Sequence, residues 1–154
     1  MAPWRVYVDT SVFGGCFDRE FTWASLRFFH EVKRGKVHIL LNDVVLDELA
    51  RAPTPVRNIL YALPEHCWSQ VEMTRDVIML RDAYLKERIV SHKYRGDATH
   101  VATATVHRAD AIVSWNFRHI VKLDKIKAYH RVNWDHGYGI ITILSPREVL
   151  SEKR

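Results

Sequence analysis

A carboxylate directly follows the first hydrophobic segment of the chain. In the stretch VYVDTSVFGG (residues 6–15), an apolar run ends at Asp9, and two hydroxyl residues, Thr10 and Ser11, come next. An unpaired buried carboxylate costs several kcal/mol or takes up a proton. An acid in this position therefore needs a partner that offsets its charge.

Glu48 is a second acid that can reach the same place. About 100° of rotation per helical residue puts it at the border of the apolar face of a helix over 43–51. Asp47 falls nearly opposite that face, where Arg51 gives it an ordinary surface partner one turn on. The face itself consists of Val45, Leu46, Leu49 and Ala50.

Asp97 is a third candidate, and it opens a predicted helix over 97–108 after a break at Gly96. An Asp at a helix start is also an ordinary cap. The small side chains of this helix predict a close approach to a sheet, which would bring its first turn near the strand ends. His100 and His107 fall on the opposite side and are predicted to be exposed. The small face consists of Ala98, Val101, Ala102, Thr105 and Val106.

Asn116 follows the apolar segment AIVSW as Asp9 follows its own segment. Three carboxylates and an amide in one cleft repel one another unless a cation lies between them. Oxygen ligands of this kind suit Mg²⁺ or Mn²⁺ rather than zinc. The nine histidines include no HExxH or similarly spaced pair, which argues against a zinc site.

The elements that must position these residues alternate along the chain. Short apolar segments predict strands at 6–8, 37–41, 68–73, 111–114 and 140–144. Helical patterns separate them, at 22–34, 43–51, 56–62, 74–88 and 97–108, with a short helix from 146. This alternation predicts an α/β fold with a central parallel sheet and helices on both faces. Ligands bind such sheets at the carboxyl ends of the strands. The length of 154 residues predicts one domain over 1–154.

The net charge of +5 is concentrated in two basic stretches, 86–95 and 117–136, each with a net charge of +3. Such a distribution indicates a polyanionic partner such as nucleic acid, although a solvated surface gives the same pattern. Cys16 and Cys67 are expected to be free thiols in a reducing cytoplasm. No apolar run is long enough for a membrane span, and the N-terminus lacks the features of a signal peptide.

Four segments, in this order, resemble the PIN-domain family and within it the VapC-type toxins of prokaryotic toxin–antitoxin pairs. They are VYVDTSVFGG, VVLDEL, GDATHVATATVHRADAIVSWNFRHI and IITILSPREV. The resemblance implies a three-layer α/β/α sandwich, divalent-metal-dependent cleavage of RNA, a small antitoxin partner and a homodimer. Trp23 with Phe28 or Phe29 on the first long helix is an exposed-aromatic candidate for an interface.

The resemblance also implies roles for individual residues. Asp9, Glu48 and Asp97 match the family's three metal-binding acids, which would hold Mg²⁺ or Mn²⁺. Asn116 stands where many members carry a fourth acid, and His119 stands where some have Asp. The resemblance therefore leaves open whether the site holds one metal ion or two. Thr10 and Ser11 match hydroxyl positions that support the site. Lys93, Arg95 and Arg118, from the basic stretches, are the candidate RNA contacts.

Three other functions are weaker matches. A PIN-like module that binds RNA or a partner without cutting is favoured by Asn116. A phosphatase with a nucleophilic Asp after its first strand usually carries a second acid two residues on, where this chain has Ser11. A nucleotide-binding module is disfavoured because neither GxGxxG nor a P-loop is present.

Overall fold

A parallel sheet of five strands forms the centre of the computed structural model, which describes residues 2–152. Met1, Lys153 and Arg154, which the predicted domain includes, lie outside the described residues. The strands are β1 (Trp4–Val8), β2 (Val37–Leu41), β3 (Trp68–Gln70), β4 (Ala111–Val113) and β5 (Ile143–Leu144), in the order β3-β2-β1-β4-β5. All four neighbouring pairs are parallel, so the predicted sheet is confirmed.

Helices cover the sheet, as the predicted α/β sandwich requires. The described residues contain α1 (Thr10–Gly14), α2 (Thr22–Lys33), α3 (Asp43–Arg51), α4 (Thr54–Tyr61), α5 (Arg75–Lys86), α6 (Arg95–Val106), α7 (Leu123–Asp135) and α8 (Pro146–Glu152). α6 packs on β1 and β4, with α5 against α6 and α7 against α5, whereas α2 packs on β2 with α8 beside it. None of these helices is long and apolar enough to cross a membrane.

The central strand is buried along its carboxyl half because it pairs on both sides. Val6, Tyr7 and Val8 have no exposed surface, and β1 pairs with β2 on one side and β4 on the other. Parallel strands that are buried on both faces are nearly continuous hydrophobic runs. This explains why the short apolar segment at 6–8 was sufficient to predict the strand.

The predicted boundaries of β2 and α3 are confirmed, but the sequence predictions were wrong in several places. Gly96 lies inside α6, which begins at Arg95, two residues before the predicted start. Strand β5 covers two residues rather than five. The sequence did not predict α1, a single turn, or α7, whose apolar spacing is obscured by the charges of the second basic stretch.

The aromatic interface proposed for α2 is also corrected. Phe28 and Phe29 are both buried in the core, whereas Trp23 is 71% exposed. The two phenylalanines pack against each other edge to face, and Phe29 also packs on Phe13. Trp23 is therefore the exposed member of that predicted set. Cys16 and Cys67 are free thiols, as predicted, and both are buried.

The glycine pair at 14 and 15 provides a matched test of core packing. A Cβ on Gly15 would lie 2.6 Å from Ser25 Oγ and 2.6 Å from Trp115 Nε1, whereas a Cβ on Gly14 would meet nothing within 4 Å. Both glycines have helical φ angles, so the comparison isolates space from backbone conformation. Trp115 cannot easily move, because it donates a hydrogen bond to Ser25 and is buried.

We expect Gly15→Ala to lower the free energy of unfolding by about 1–3 kcal/mol, the usual cost of overpacking. Gly14→Ala should leave it unchanged or raise it by about 0.4–1 kcal/mol, because it restricts the unfolded chain. Urea denaturation followed by circular dichroism measures both values. Equal stability of the two variants would show that the Trp115 site can relax.

Candidate active site

The ends of three adjacent strands bring polar residues together at the carboxyl edge of the sheet. Val8 pairs with Val113, and Tyr7 pairs with Leu40, in the two neighbouring strands. The residues that follow the three strands are Asp9, Ser114 and Asn42, and all three are buried. Polar side chains thus follow all three strands, and two of them, Ser114 and Asn42, were not among the predicted site residues.

Asp9 is held by two hydroxyl groups. Ser11 Oγ donates to Asp9 Oδ1 at 2.6 Å, and Ser114 Oγ donates to Asp9 Oδ2 at 2.8 Å. Burial raises the pKa of Asp9 above its ordinary value, and the charge of Asp97 adds to this, while His100 and the two hydroxyls oppose it. Asp9 forms no salt bridge within residues 2–152. The carboxylate is thus positioned by two neutral donors, and in the described chain no cationic side chain forms a salt bridge with it.

Glu48 is half-buried at the border of the apolar face of α3, as its helix position predicted, and Asp47 is exposed. Its Oε1 is 3.5 Å from His100 Nε2, and His100 Nδ1 is 2.8 Å from the Tyr7 hydroxyl. Burial works to raise the pKa of Glu48, but the contacts with His100, the nearby Thr10 hydroxyl and the charge of Arg51 together lower it. Glu48 is therefore held in its ionised form beside the strand ends.

The predicted exposure of both histidines on α6 was wrong. His100 is only 3% exposed, and the half-buried His107 has Nε2 2.7 Å from the carbonyl of Glu72. α6 is buried between the sheet and α5, so the side opposite its small residues faces protein rather than water. His100 lies three residues after Asp97, which places both side chains on the same face of the helix.

Asn42 fixes the position of α3 relative to α6. Its side-chain oxygen caps α3 by accepting from Val45 N at 3.1 Å, and its amide nitrogen donates to Thr103 Oγ1 at 3.1 Å. One buried side chain thus joins the helix that carries Glu48 to the helix that carries His100. An Asn is a common cap at a helix start, but the second bond joins residues 61 positions apart and could not be inferred from sequence.

Asp97 contacts a histidine as well. Asp97 Oδ2 is 2.9 Å from His119 Nδ1, and the His119 ring packs on Tyr94 with centroids 4.1 Å apart. Asn116 shapes the loop that carries His119, because its Oδ1 accepts from the backbone N–H of Arg118 and His119 at 3.1 and 2.9 Å. Asn116 N in turn donates to Ser114 Oγ. Asn116 therefore orients the loop between Asp9 and Asp97.

The predicted RNA-contact residues are all exposed, and two of them surround Tyr94. Lys93 Nζ lies 5.5 Å and the Arg118 guanidinium 6.0 Å from the Tyr94 ring centroid, while Arg95 opens α6. Lys125 of the second basic stretch is engaged elsewhere, because its Nζ donates to the carbonyl of Ile89 at 2.5 Å. The positive charge nearest Asp97 thus comes from both basic stretches, but not from every residue in them.

The donor chemistry of the site fits a hard divalent cation. Asp9 is a buried carboxylate without a salt bridge in the described chain. Thr10 Oγ1 is a buried hydroxyl for which no partner in the described chain meets the geometry of a hydrogen bond. It is nevertheless near enough to Glu48 to lower the pKa of that carboxyl. However, no three Asp, Glu, His or Cys side chains in residues 2–152 are grouped so that they could hold one ion. Asp97 and Glu48 instead contact His119 and His100.

Comparisons with known proteins support the fold. No protein-family model and no curated protein matches the sequence. Several solved structures resemble it, including the two that follow. One is a toxin–antitoxin complex from Klebsiella pneumoniae, with TM-score 0.53 and 15% identity, over 74% of this chain and 88% of that one. The other is VapBC2 from Rickettsia felis bound to a promoter DNA fragment, with TM-score 0.59 and 9% identity, over 92% of this chain and 98% of that one. At these sequence identities the likeness shows a shared fold and nothing more.

We expect Asp9→Asn to stabilise the metal-free protein at neutral pH by about 0.5–2 kcal/mol, because it removes a buried charge and keeps the side-chain shape. Since burial raises the native pKa of Asp9, the cost of its ionisation is present above that pKa and disappears as the pH falls through it. The difference from the unmodified protein should therefore shrink in acid.

Thermal unfolding in EDTA at several pH values measures this difference. Asp47→Asn is the matched control, since Asp47 is exposed and its neutralisation should change the melting temperature very little. A lower melting temperature for Asp9→Asn at neutral pH would mean that the ionised carboxylate stabilises the protein through its two hydroxyl partners.

Proposed function

We propose that this protein is a divalent-metal-dependent ribonuclease, a PIN-domain enzyme that acts as the toxin of a type II toxin–antitoxin pair in a reducing cytoplasm. The observation that carries the proposal is the buried Asp9 carboxylate at the end of the central strand. It has no salt bridge in the described chain, the charge of Asp97 is near enough to raise its pKa, and Glu48 acts together with Asp9 on the pKa of Tyr7. The fold likeness to two toxin–antitoxin complexes supports the same proposal.

Asp9 and Asp97 would hold Mg²⁺ or Mn²⁺, with Glu48 bound directly or through water. When bound, such an ion polarises a phosphate and lowers the pKa of a coordinated water. Ser11 and Ser114 keep Asp9 fixed by donating to its two oxygens. His119 contacts Asp97 and His100 contacts Glu48, so the two histidines would orient these carboxylates.

RNA would approach along the surface that Lys93, Arg95 and Arg118 make positive. These side chains are exposed, and cationic side chains of this kind neutralise a phosphate backbone without reading its sequence. Arg118 extends from the loop that Asn116 organises, so the same loop carries a phosphate contact and the His119 partner of Asp97.

A small antitoxin would cover part of the protein, and a homodimer is proposed with it. The exposed Trp23 lies on α2, next to a groove between α2 and α4 that Leu26, His30 and Ile59 line. Exposed apolar surface of this kind marks interaction sites. Light scattering that showed a monomer at high concentration would contradict the dimer.

A PIN-like module that binds RNA without cutting it is the second candidate. Two observations favour it: Asn116 stands where a fourth acid is expected, and both outer acids contact histidines rather than each other. In that case RNA would bind with the same salt dependence, but neither Mg²⁺ nor Mn²⁺ would produce cleavage.

We expect cleavage of RNA by the purified protein with Mg²⁺ or Mn²⁺ and none with EDTA. Asp97→Asn and Glu48→Gln should each lower the rate at least about 100-fold, which corresponds to about 2.7 kcal/mol of transition-state stabilisation. Asp47→Asn should change it less than about twofold, because Asp47 faces solvent one residue from Glu48. A fluorescently labelled RNA measures the rates, and circular dichroism checks the folds.

Two results would contradict this assignment. Full activity in a well-purified Asp97→Asn protein would show that the nuclease lies elsewhere or is a contaminant. A greater loss for Asp47→Asn than for Glu48→Gln would show that α3 presents a different face to the substrate.

Charge reversal at Lys93 and Arg95 should weaken RNA binding and flatten its salt dependence. For a single strand, removing one interaction with a phosphate reduces the slope of log affinity against log salt by about 0.7. Lys33→Glu with Lys36→Glu makes the same change of charge near the amino end of β2, away from the site, and should leave the slope nearly unchanged.

Fluorescence anisotropy in the Asp97→Asn background, where the RNA stays intact, measures both slopes. An equal change in the two double variants would mean that RNA responds only to net charge. An unchanged slope at Lys93 and Arg95 would place the RNA path along 117–136.

A further inference from the structure

A cluster of three aromatic rings lies beside the acids. Phe21 stacks on Trp115 with centroids 4.1 Å apart and planes within 16°. Phe117 packs edge-on against Trp115 at 6.0 Å and contacts Phe21 at 6.2 Å. We call these three residues the aromatic step. Trp115 is buried and Phe21 is half-buried, but Phe117 is 46% exposed.

The base of the aromatic step is fixed to the catalytic edge. Trp115 N donates to Ser11 Oγ at 2.9 Å, and Ser11 Oγ donates to Asp9. The indole N–H donates to Ser25 Oγ at 2.8 Å, in the space that the missing side chain of Gly15 leaves. The backbone of Trp115 is therefore tied to a partner of Asp9, its ring is held by Ser25, and the ring gives Phe117 a fixed support.

In the chain, Phe117 lies between a residue linked to Asp9 and residues linked to Asp97. The residue before it, Asn116, is hydrogen-bonded to Ser114, which holds Asp9. The residue after it, Arg118, reaches the Tyr94 ring, and Tyr94 packs on the His119 that contacts Asp97. An exposed phenyl ring thus lies in a loop whose neighbouring residues are linked by contacts to Asp9 and Asp97.

Two cationic groups lie on neighbours of this ring. The Arg147 guanidinium is 5.8 Å from the centroid of Trp115, on which Phe117 packs, and Arg118, the next residue in the chain, has its guanidinium 6.0 Å from the centroid of Tyr94. Both arginines are exposed. An exposed apolar ring with guanidinium groups on its neighbours matches a nucleotide, which offers an aromatic face next to phosphates. Tyr94 is a poorer candidate, because the His119 imidazole already covers it.

We propose that Phe117 is a stacking site for one unpaired RNA base next to the phosphate at the acidic site, with Arg118 and Arg147 contacting the flanking phosphates. This inference rests on the proposed ribonuclease function and adds to it a residue, Phe117, that positions one base of the substrate. A base inside a duplex stacks on its neighbours and cannot stack on a side chain, whereas single strands pair their bases with aromatic side chains.

The test measures binding rather than cleavage, in EDTA, with the full chain and a short single-stranded oligoribonucleotide. The oligonucleotide carries one 2-aminopurine, whose fluorescence falls when it stacks, moved one position at a time. We expect Phe117→Ala to weaken binding about tenfold, within the usual range for the removal of one stacking interaction, and to remove the quenching. Its salt slope should not change, because the variant keeps every charge.

Three comparison variants separate stacking from other effects. Phe117→Tyr keeps the ring and should retain the affinity, whereas Phe117→Leu keeps apolar area without an aromatic face and should bind like Phe117→Ala. Trp134→Ala removes an even more exposed aromatic side chain at the last turn of α7 and should change nothing. Duplex RNA of the same sequence should not distinguish Phe117→Ala from the unmodified protein.

Four results would overturn the proposal: no binding of single-stranded RNA by the unmodified protein, unchanged affinity and quenching in Phe117→Ala, full affinity in Phe117→Leu, or an equal loss for duplex RNA. If Phe117→Ala changed only the oligomeric state in light scattering, the ring would be a protein contact and the proposal wrong. Failure of the nuclease function alone would appear differently, as base-dependent quenching that depends on Phe117 without cleavage in Mg²⁺.

Discussion

The buried carboxylate of Asp9 is kept in place without a salt bridge in the described chain, and much of the surrounding structure contributes to holding it. Ser11, on the first turn of α1, and Ser114, at the end of β4, donate to its two oxygens. These bonds require β1 and β4 to be neighbours in the sheet, and they are. The same hydroxyls also accept backbone N–H groups from the loop after β4. A change in strand order would therefore remove both the carboxylate's partners and the loop's supports.

Two further acids, Glu48 and Asp97, are each supported by a histidine. Glu48 and Asp97 would repel Asp9 if all three faced one point, and each instead contacts a histidine. His100 is itself held by the Tyr7 hydroxyl, and His119 packs on Tyr94. The site is thus arranged as three acids with separate supports, and a divalent cation would have to bring Glu48 and Asp97 away from their histidines.

The loop after β4 connects these supports to the surface that a substrate would meet. Trp115 is fixed by Ser11, Ser25 and the space at Gly15. From this fixed point the chain turns at Asn116, exposes Phe117 and extends Arg118 towards Tyr94. One short segment therefore couples the burial of Asp9 to an aromatic and cationic surface. This arrangement explains why an apolar ring remains exposed beside charged residues.

The sequence by itself determined the sheet, most helices, the position of Asp9 and the helix border at Glu48, because these follow from local periodicity and from residues that end a strand. It did not determine the surroundings of α6. His100 was predicted to face water, yet it is buried against Tyr7 and Glu48. The reason is that α5 packs on α6, so the polar face that an amphipathic surface helix would expose to water is covered by protein. Likewise, the bonds from Ser114 to Asp9 and from Asn42 to Thr103 join residues 105 and 61 positions apart. Such contacts depend on strand order and helix packing, which only the tertiary structure decided.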